Sequence, residues 1–379
     1  MKRYITIVNR HYPPNINITG ENARDLAKYL IEKHNVEVDV IHIDREYEGG
    51  GGKKEPVGNT LAIKTIYSGN APILRHLSSF YDGYMLIRAA LKKGRGPIIV
   101  MTSPPLLPMW AAWLIGAKRE WILWSMDFFP EGFAASNQMN PNGWFYKWCI
   151  KTTYSKSPSK LIALGPGQAQ YAEDNYGNSI DKVLLPCGVF VEQNKSPEAP
   201  DWKNEDRIYF GYCGNVSQAH SEQYLIDFID SINPDKHRLV LALYGTKADL
   251  VRAHAINKPG IIIVKSVPRN QLGFIDVHLV SLVKSWTHVA VPSKAVSSVC
   301  SGAPIAFCGD QSSDNWQLLQ EAAWFIPLEN GRKEAIAKLL NDITIEEVHQ
   351  KKSAASKKAA DLQALIIQSY DTIASWAKS

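Results

Sequence analysis

The chain has 379 residues, of which 45% are hydrophobic and 21% are charged. This balance is that of an ordinary folded protein and excludes a disordered chain, and the length suits two domains better than one. The formal net charge of +5 is small for this length and gives no sign of the dense basic face of a nucleic-acid-binding protein, although it does not exclude local basic patches facing phosphates.

The cysteines and the apolar runs bear on the compartment in which the protein works. Five cysteines form neither a C-x-x-C pair nor a metal-binding pattern with histidine: Cys149, Cys187, Cys213, Cys300 and Cys308. An odd number of cysteines without a signal peptide predicts buried thiols in a reducing cytoplasm. The longest uncharged apolar run, 104–117, contains prolines and is too short for a membrane span. We therefore expect a cytoplasmic protein, at most peripheral on the cytoplasmic face of the inner membrane.

Short apolar strands alternate with helix-length segments along most of the chain. Eleven strands are predicted, at 4–8, 36–43, 97–103, 121–127, 161–165, 183–186, 208–214, 238–245, 261–267, 276–282 and 304–309. Such alternation is typical of parallel sheets that are covered by helices on both faces. A run of glycines beside paired lysines over 46–58 cannot pack a core and predicts a mobile loop.

A stretch rich in proline, asparagine and charge separates two runs of this alternation. The sequence predicts an N-terminal Rossmann-like domain over 1–190, a linker over 191–206 and a C-terminal Rossmann-like domain over 207–343. Two doubly wound domains would place a cleft between them, lined by the carboxyl ends of their strands. The last segment, 344–379, is predicted to be helical, and one face of it needs burial because it carries Leu362, Leu365, Ile366, Tyr370, Ile373 and Trp376.

Two carboxylates stand in the otherwise apolar run "WILWSMDFFPEG" at 121–132. Burying an ionised carboxylate without a partner is costly, so Asp127 should lie where its strand reaches solvent or a ligand. Ligands bind at the carboxyl ends of strands in doubly wound sheets, and this favours a place at the mouth of the cleft. The alternative is that Asp127 caps the turn that follows it. Glu131 is the second candidate in this run.

The first predicted helix begins directly after the first strand, in "PNINITGEN". Gly20 lies near its first turn, and Thr19 is a candidate N-cap. Backbone N–H groups at such a helix start could bind a phosphate or sugar oxygen, because the positive end of a helix stabilises anions. An ordinary capped helix start, without a ligand, explains the same pattern.

In the second predicted domain, "GYCGNVSQAH" ends a strand with Gly214 and Asn215. A glycine permits close approach there, and the helix that follows could face a diphosphate. His220 could donate a hydrogen bond to a phosphate oxygen, or it could be an ordinary surface histidine.

A second helix start in this domain carries a lysine. Ser293 and Lys294 follow Pro292, which is typical of a helix N-terminus, and a lysine beside free N–H groups suits a nucleotide diphosphate. The alternative is a helix cap with a solvated lysine. Because the chain contains no D-x-D motif to hold a metal, we expect Lys294, Lys247 and helix dipoles to take the place of a metal, with no cofactor required.

Nine motifs occur in a fixed order over nearly the whole chain. They read "NRHYPPNINITGENARDLAKYL", "VMTSPPLLPMWAAWL", "WSMDFFPEG", "LIALGPGQAQ", "LPCGV", "GYCGN", "LYGTKADL", "SVPRNQL" and "VPSKAVSSVCSGAPI". In this order they resemble the family-4 glycosyltransferases of the GT-B fold. The branch that assembles bacterial cell-envelope polysaccharides such as colanic acid, O-antigen and capsule is the most similar.

The resemblance implies a fold, an activity and several contacts. It implies two Rossmann-like domains, the first for the acceptor and the second for the donor, with a C-terminal helix that crosses back to the first. It also implies transfer of a sugar, with anomeric retention, from a UDP- or GDP-linked donor to a glycan or polyprenyl-linked acceptor. The backbone of the loop containing Val267 would contact the nucleotide base. Docking of the terminal helix would form a hinge whose closure brings Asp127 toward Lys294 and excludes water.

The chain departs from the family pattern at three places. Met126 stands where the family often has a histidine, so Asp127 and Glu131 are left to hold sugar hydroxyls or to accept the acceptor's proton. Val289 and Ser297 stand where most members have two glutamates. The glycine pair that the family usually has at the start of the first helix is replaced by other residues. These departures motivate the alternative of a catalytically inactive GT-B scaffold or partner subunit of another transferase. A nucleotide-sugar epimerase on the same fold is a weaker alternative.

Six of the eleven tryptophans fall between residues 110 and 148, interleaved with lysine and arginine. They are Trp110, Trp113, Trp121, Trp124, Trp144 and Trp148. Basic and aromatic side chains together suit the headgroup region of a bilayer, where a lipid-linked acceptor would lie. Core packing is the alternative, and we expect it for Trp121 and Trp124.

Overall fold

The computed structural model describes residues 2–15, 17–44, 54–69, 71–189, 198–204 and 206–379, without the side chains of Pro72 and Ile73. Most of the glycine-rich loop predicted at 46–58 and half of the linker predicted at 191–206 lie outside the described residues. The chain divides into a first unit, Met1–Leu185 with Leu365–Ser379, and a second unit, Pro186–Ala364.

The first unit contains a parallel sheet of seven strands. They are β1 (Arg3–Val8), β2 (Val36–Asp44), β3 (Asn59–Lys64), β4 (Ile98–Met101), β5 (Trp121–Trp124), β6 (Lys160–Ala163) and β7 (Asp181–Leu184), in the order β3-β2-β1-β4-β5-β6-β7. Its helices are α1 (Ile18–His34), α2 (Pro72–Lys93), α3 (Leu107–Leu114), α4 (Glu131–Ala135), α5 (Trp144–Thr153) and α6 (Pro166–Tyr176).

Central strands of this sheet are buried along their whole length. All four residues of β4 and of β5 are buried, including Trp121 and Trp124 as expected. Parallel strands that helices cover on both faces have no solvent side, which explains their continuous apolar sequence. β5 ends at Trp124, before the predicted end at 127, and Asp127 therefore belongs to the segment that follows the strand.

The second unit contains a parallel sheet of six strands. They are β8 (Ile208–Asn215), β9 (His237–Tyr244), β10 (Ile261–Ile263), β11 (Val277–Ser281), β12 (Ile305–Cys308) and β13 (Ala323–Ile326), in the order β10-β9-β8-β11-β12-β13. Its helices are α7 (Glu222–Ser231), α8 (Ala248–Ala255), α9 (Ser293–Cys300), α10 (Asp314–Leu319) and α11 (Arg332–Asp342), with short 3-10 turns at Arg269–Phe274, Lys284–Trp286 and Gln320–Ala322.

Both sheets follow the strand order of a doubly wound fold, in which the first strand lies beside the fourth. This confirms the predicted class of two Rossmann-like α/β domains. The order reverses between β1 and β4 in the first unit and between β8 and β11 in the second. All eleven predicted strands are present, whereas β3 and β13 were not predicted. Both are edge strands. β3 is largely exposed and lacks the continuous apolar run of a central strand, whereas β13 has such a run (AWFI) and was overlooked.

The last helix, α12 (Ile345–Ser375), ends against the first unit. Asp371 accepts a hydrogen bond from the hydroxyl of Tyr29 at 2.9 Å and lies 2.7 Å from His34 Nε2. Ser369 Oγ donates to the carbonyl of Leu184 at 2.7 Å, and Tyr4 forms an antiparallel bridge with Lys378. The apolar residues that the sequence marked on this helix are buried, apart from Leu365, which is half-buried. The prediction that the chain returns to the first domain is confirmed.

Candidate functional site

In the first unit, three neighbouring strands bring polar side chains to one edge of the sheet. Thr102 follows β4, Asp127 follows β5, and Gln168 lies on α6 after β6. Thr102 Oγ1 accepts hydrogen bonds from the backbone N–H groups of Met126 and Asp127, each at 3.1 Å. Gln168 donates to the carbonyl of Met126 at 2.6 Å. The backbone that carries Asp127 is thus fixed from both sides, and the sequence analysis did not single out either supporting residue.

The side chain of Asp127 is exposed, and its carboxyl group forms no hydrogen bond with a described residue. Helix α4, which begins shortly after it, has no side-chain cap. The alternative role of a turn cap therefore has no support in the described contacts. Surrounding protein atoms displace water from the carboxyl group and raise its pKa to about 6, although the side chain itself reaches solvent. Such a group is ionised at neutral pH and is able to accept a proton.

Glu131 differs from Asp127 in its exposure and in its hydrogen bonds. It is 5% exposed, and its Oε1 accepts hydrogen bonds from the hydroxyls of Tyr154 and Tyr171. Its other oxygen, Oε2, is buried with no hydrogen-bond partner among the described residues, and burial raises the pKa of the carboxyl group. Glu131 therefore joins α4 to the segments after α5 and on α6. Because the group faces the interior, these contacts do not favour the predicted contact with sugar hydroxyls or the acceptor's proton, and that role stays a prediction.

The start of α1 is an ordinary capped helix start. Asn17, rather than the predicted Thr19, is the N-cap, and its side chain accepts from the N–H of Thr19 at 2.9 Å. Glu21 lies in the first turn, is 4% exposed and pairs with Lys54 at 3.1 Å, so negative charge already occupies this end of the helix. Gly20 is buried, and a Cβ there would lie 2.9 Å from the backbone of His11. Gly20 thus permits helix packing, which corrects its expected role in ligand binding.

In the second unit, Lys294 lies in the first turn of α9 and reaches back over the end of β8. Its Nζ donates to the hydroxyl of Tyr212 at 2.5 Å and to the carbonyl of Asn215, and lies 3.0 Å from His220 Nε2. All three partners are neutral, and no carboxylate among the described residues pairs with this ammonium. Desolvation lowers the pKa of Lys294 to about 7. Ser293, the other residue predicted here, is the first residue of α9 and is half-buried.

Gly214 explains how the lysine can lie across the strand. Its φ of +135° is one that residues with a side chain rarely adopt, and a Cβ at this position would lie 3.1 Å from Lys294 Cε. The predicted close approach at Gly214 is therefore made by the lysine stem. Asn215 ends β8 with an exposed side chain, and its carbonyl also accepts from the hydroxyl of Tyr212 at 2.8 Å.

His220 is neither on the surface nor free to donate to a phosphate. It is 6% exposed, and its Nδ1 lies 2.6 Å from the carbonyl of Ser281. A carbonyl only accepts, so Nδ1 carries the proton and Nε2 is the acceptor that faces Lys294. Burial and the nearby ammonium lower the pKa of His220 to about 3, which keeps the ring neutral. Both ring nitrogens have partners within the protein, so these contacts do not favour the predicted donation to phosphate, which stays a prediction.

Lys247 is the second predicted cation, and its charge is compensated. It occupies the N-cap position of α8, and its Nζ lies 2.7 Å from Glu222 Oε2 and 3.3 Å from the carbonyl of His220. Binding an anion at Lys247 would require it to give up this ion pair. The expected role of Lys247 beside Lys294 at the diphosphate stays a prediction.

Two further residues lie toward the outer strands at the same edge of this sheet. Val267 follows β10 and packs on a cluster of Tyr209, Val240 and Ile275, which anchors the loop predicted to contact the base. Tyr244, which the sequence analysis did not identify, ends β9 in register with Asn215 and is 51% exposed. An exposed aromatic at the end of the otherwise buried strand "HRLVLALY" was the available signal.

Only half of the clustered tryptophans lie on the surface. Trp110, Trp121 and Trp124 are buried in the core of the first unit. The exposed members form, with Phe145, what we term the aromatic surface: Trp113 on α3 (59% exposed), and Trp144 (80%), Phe145 (39%) and Trp148 (39%) on α5. Helices α3 and α5 pack against each other, and Lys147 and Lys151 are exposed on α5.

The described part of the chain contains no cluster of three or more histidine, cysteine, aspartate or glutamate side chains that could hold a metal ion. None of its helices combines the length and apolarity required to cross a membrane. The five cysteines, all within the described ranges, form no disulfide; four of them are buried and Cys213 is half-buried.

Two Rossmann-like domains with polar sites at their strand ends define a protein of the GT-B fold. No family model matches the sequence. A protein of Pseudomonas aeruginosa described as "Probable glycosyltransferase WbjE" is 22% identical over an alignment of 298 residues, and the match covers 72% of this chain and 73% of that protein.

Two solved structures resemble the chain over almost its whole length. WaaG, described as a glycosyltransferase involved in lipopolysaccharide biosynthesis, has a TM-score of 0.69 at 12% identity, over 97% of this chain and 99% of that one. The structure described as "Trehalose-6-phosphate from E. coli bound with UDP-2-fluoro glucose" has a TM-score of 0.67 at 11% identity, over 98% of each chain. At these identities the likeness establishes the fold.

Proposed function

We propose that this protein is a glycosyltransferase that moves a sugar from a nucleotide-sugar donor to a glycan or lipid-linked acceptor in cell-envelope polysaccharide synthesis. The observation that carries the proposal is the position of Lys294. Its ammonium has no carboxylate partner among the described residues. It lies in the first turn of α9, beside the point where the strand order of the second sheet reverses. The relation to WbjE and the fold shared with WaaG and the UDP-2-fluoro glucose complex support the same reading.

The chemistry of the second unit suits the departure of a nucleoside diphosphate. When the bond between the sugar's anomeric carbon and the diphosphate oxygen breaks, its electron pair remains on the diphosphate. The ammonium of Lys294 and the free N–H groups of α9 would stabilise that charge. We propose on this basis that transfer is independent of a metal. Addition of a chelator should leave the rate unchanged, and restoration of activity by a divalent cation after chelation would contradict the proposal.

Asp127 is the proposed site of the acceptor's proton. An acceptor hydroxyl that attacks the anomeric carbon must release its proton, and an exposed carboxylate with a pKa of about 6 is ionised at neutral pH and can take it. The hydrogen bonds from Met126 and Asp127 to Thr102 would keep the carboxylate in place. Retention of the anomeric configuration is part of the proposal and is carried by the family resemblance; a single displacement retains it only when the acceptor oxygen attacks the anomeric carbon from the face that the diphosphate leaves. NMR of the anomeric proton in donor and product would test it.

Tyr244 and the loop of Val267 are the proposed site of the nucleoside. Tyr244 ends β9, which lies next to the strand end at which Lys294 would bind the diphosphate, and the loop of Val267 follows β10. An exposed aromatic ring can stack on a nucleotide base, and a base has a flat face whatever its identity. UDP and GDP are both compatible with stacking of this kind.

The aromatic surface is the proposed contact with a membrane that carries the acceptor. Tryptophans prefer the headgroup region of a bilayer, and exposed lysines favour anionic lipids by about 1 kcal/mol each.

Flotation with vesicles of neutral and of anionic phospholipid would test this membrane contact. The double variant W144A/W148A should bind anionic vesicles about tenfold less, whereas L250A/I256A, which removes two exposed apolar side chains of the second unit, should bind normally. Absence of vesicle binding by the wild-type chain would overturn this part of the proposal.

Binding and turnover of nucleotide sugars test the function itself. A panel of UDP- and GDP-sugars should include a donor that raises the melting temperature and is slowly hydrolysed without acceptor. Lys294→Ala should abolish both effects. The matched control is Lys333→Ala, because Lys333 is 74% exposed and lies outside the site. If no nucleotide or nucleotide sugar stabilises the wild-type chain, the catalytic proposal fails and the scaffold alternative is favoured.

A further inference from the structure

The ammonium of Lys294 has as many hydrogen-bond partners as it has N–H donors. A lysine ammonium has three, and they point to Tyr212 Oη, the Asn215 carbonyl and His220 Nε2. Two of these partners come from β8, and only His220 comes from another segment, the one that precedes α7. His220 therefore fixes the side of the ammonium that β8 cannot reach.

His220 can play this part in one protonation state only. The carbonyl of Ser281, at the end of β11, requires a proton on Nδ1, and this leaves the lone pair of Nε2 toward Lys294. A histidine that could rotate or change tautomer would present N–H to the ammonium and repel it. The backbone of β11 thus determines, through His220, where the ammonium lies.

We propose that His220 is a positioning residue for the diphosphate site: held by the Ser281 carbonyl as the Nδ1–H tautomer, it accepts from Lys294 and holds the ammonium over the end of β8. This inference rests on the proposed function, because it assigns the anion at Lys294 to a nucleoside diphosphate. It adds a residue that touches neither donor nor acceptor and acts entirely through Lys294.

The other titratable groups around this pair do not supply a competing charge to Lys294. Tyr212 and Cys213 on β8 are neutral, because burial raises the pKa of each of them. Lys247 donates to the His220 carbonyl, and its own charge is paired with Glu222. A protonated His220 would face two lysines, which is a further reason for the ring to stay neutral.

Two substitutions test the two hydrogen bonds of His220 separately. In His220→Asn the side-chain amide can still donate to the Ser281 carbonyl at the position of Nδ1, but it is too short to reach Lys294. In His220→Gln the amide oxygen can take the place of Nε2 as an acceptor. A matched control is His278→Asn, because His278 is a buried histidine at the other end of the same sheet, with Nε2 3.0 Å from the Leu272 carbonyl.

Calorimetric binding of UDP and of inorganic pyrophosphate from about pH 5 to about pH 9 gives the main readout. His220→Asn should weaken both ligands about tenfold, and His220→Gln should restore most of this loss. Removing an acceptor from an ammonium lowers the pKa of the ammonium. The fall of affinity at alkaline pH should therefore begin at lower pH in His220→Asn. The ligands titrate identically with every variant, so differences between variants report on Lys294.

The ring itself gives a second readout. Nitrogen-15 NMR of the histidines, with His220 assigned by its absence from His220→Gln, should show a neutral Nδ1–H tautomer that does not titrate between about pH 5 and about pH 8. Titration near the ordinary histidine value, or an Nε2–H tautomer, would overturn the inference. So would a His220→Asn variant with the affinity and pH profile of the wild type, or a His278→Asn variant with the same loss and the same pH change.

These outcomes separate the inference from the function on which it rests. If the wild type and Lys294→Ala bind UDP and pyrophosphate equally, there is no anion site at Lys294 and the proposed function loses its main support. If Lys294→Ala loses binding while His220→Asn keeps it unchanged, the site stands and the positioning role fails.

Discussion

The strand-end edges of the two units each present a pair of ionisable groups of the same kind, and the two members of each pair meet different partners. In the first unit Glu131 is buried among tyrosine hydroxyls, whereas Asp127 is exposed without a hydrogen bond from the described residues. In the second unit Lys247 is paired with Glu222, whereas Lys294 meets only neutral groups. The comparison teaches that the partners of a charge, more than its residue type, indicate whether it can serve a ligand.

The largest effect should come from the lysine pair. Lys294→Ala should lower kcat/KM roughly a hundredfold or more, because it removes the charge that stabilises the departing diphosphate. Lys247→Ala should cost no more than about tenfold, because the ion pair with Glu222 already occupies its charge. Steady-state kinetics with the donor identified in the panel would measure both. Equal losses in the two variants would break the comparison.

The carboxylate pair should show the next largest effect. Asp127→Asn should lower kcat about a hundredfold if this group takes the acceptor's proton. The wild-type rate should rise with pH through about 6, as Asp127 ionises, and the rate of the variant should not show this rise. Glu131→Gln keeps an oxygen for the Tyr154 hydroxyl and should leave kcat close to that of the wild type. A Glu131→Gln variant as inactive as Asp127→Asn would contradict the distinction drawn here.

A substitution of Tyr244 distinguishes the proposed nucleoside site from the proposed diphosphate site at the strand ends of the second unit. Tyr244→Ala should weaken UDP about tenfold through lost stacking, and Tyr244→Phe should bind normally. Inorganic pyrophosphate, which has no base, should bind to both variants as it does to the wild type. Calorimetry with the two ligands separates the parts, and a loss of pyrophosphate affinity in Tyr244→Ala would refute the division.

The smallest effect concerns stability and sharpens the description of Glu131. Its pKa is raised in the folded chain above the ordinary value of 4.5, so the folded state favours the protonated form. The stabilising contribution of this group is complete below the unfolded pKa and is lost as pH rises through the folded pKa. Glu131→Gln has no ionisation at this position and should therefore become more stable relative to the wild type as pH rises. Denaturant unfolding at several pH values measures the difference, which should vanish at acidic pH.

The sequence by itself determined the strands, the two-domain class and the start of α9. Buried parallel strands are continuous apolar runs, and a proline before a serine and a lysine at a helix start is a local pattern; both can be read without knowledge of distant residues. The edge strand β3 escaped because exposure removes that local signal, whereas the edge strand β13 carries the signal and was overlooked.

Only the tertiary structure decided which candidate residues have free functional groups. His220 meets a carbonyl 61 positions away in the chain, Lys294 reaches a tyrosine 82 positions away, and Glu131 meets Tyr154 at a separation of 23. Gly20 packs against the loop after β1, although it was predicted to face a ligand. A side chain's charge and pKa depend on the groups that surround it, and those groups come together only when separate strands of the sheet align. The sequence could therefore name the residues at the strand ends, whereas folding assigned each of them a partner or left it without one.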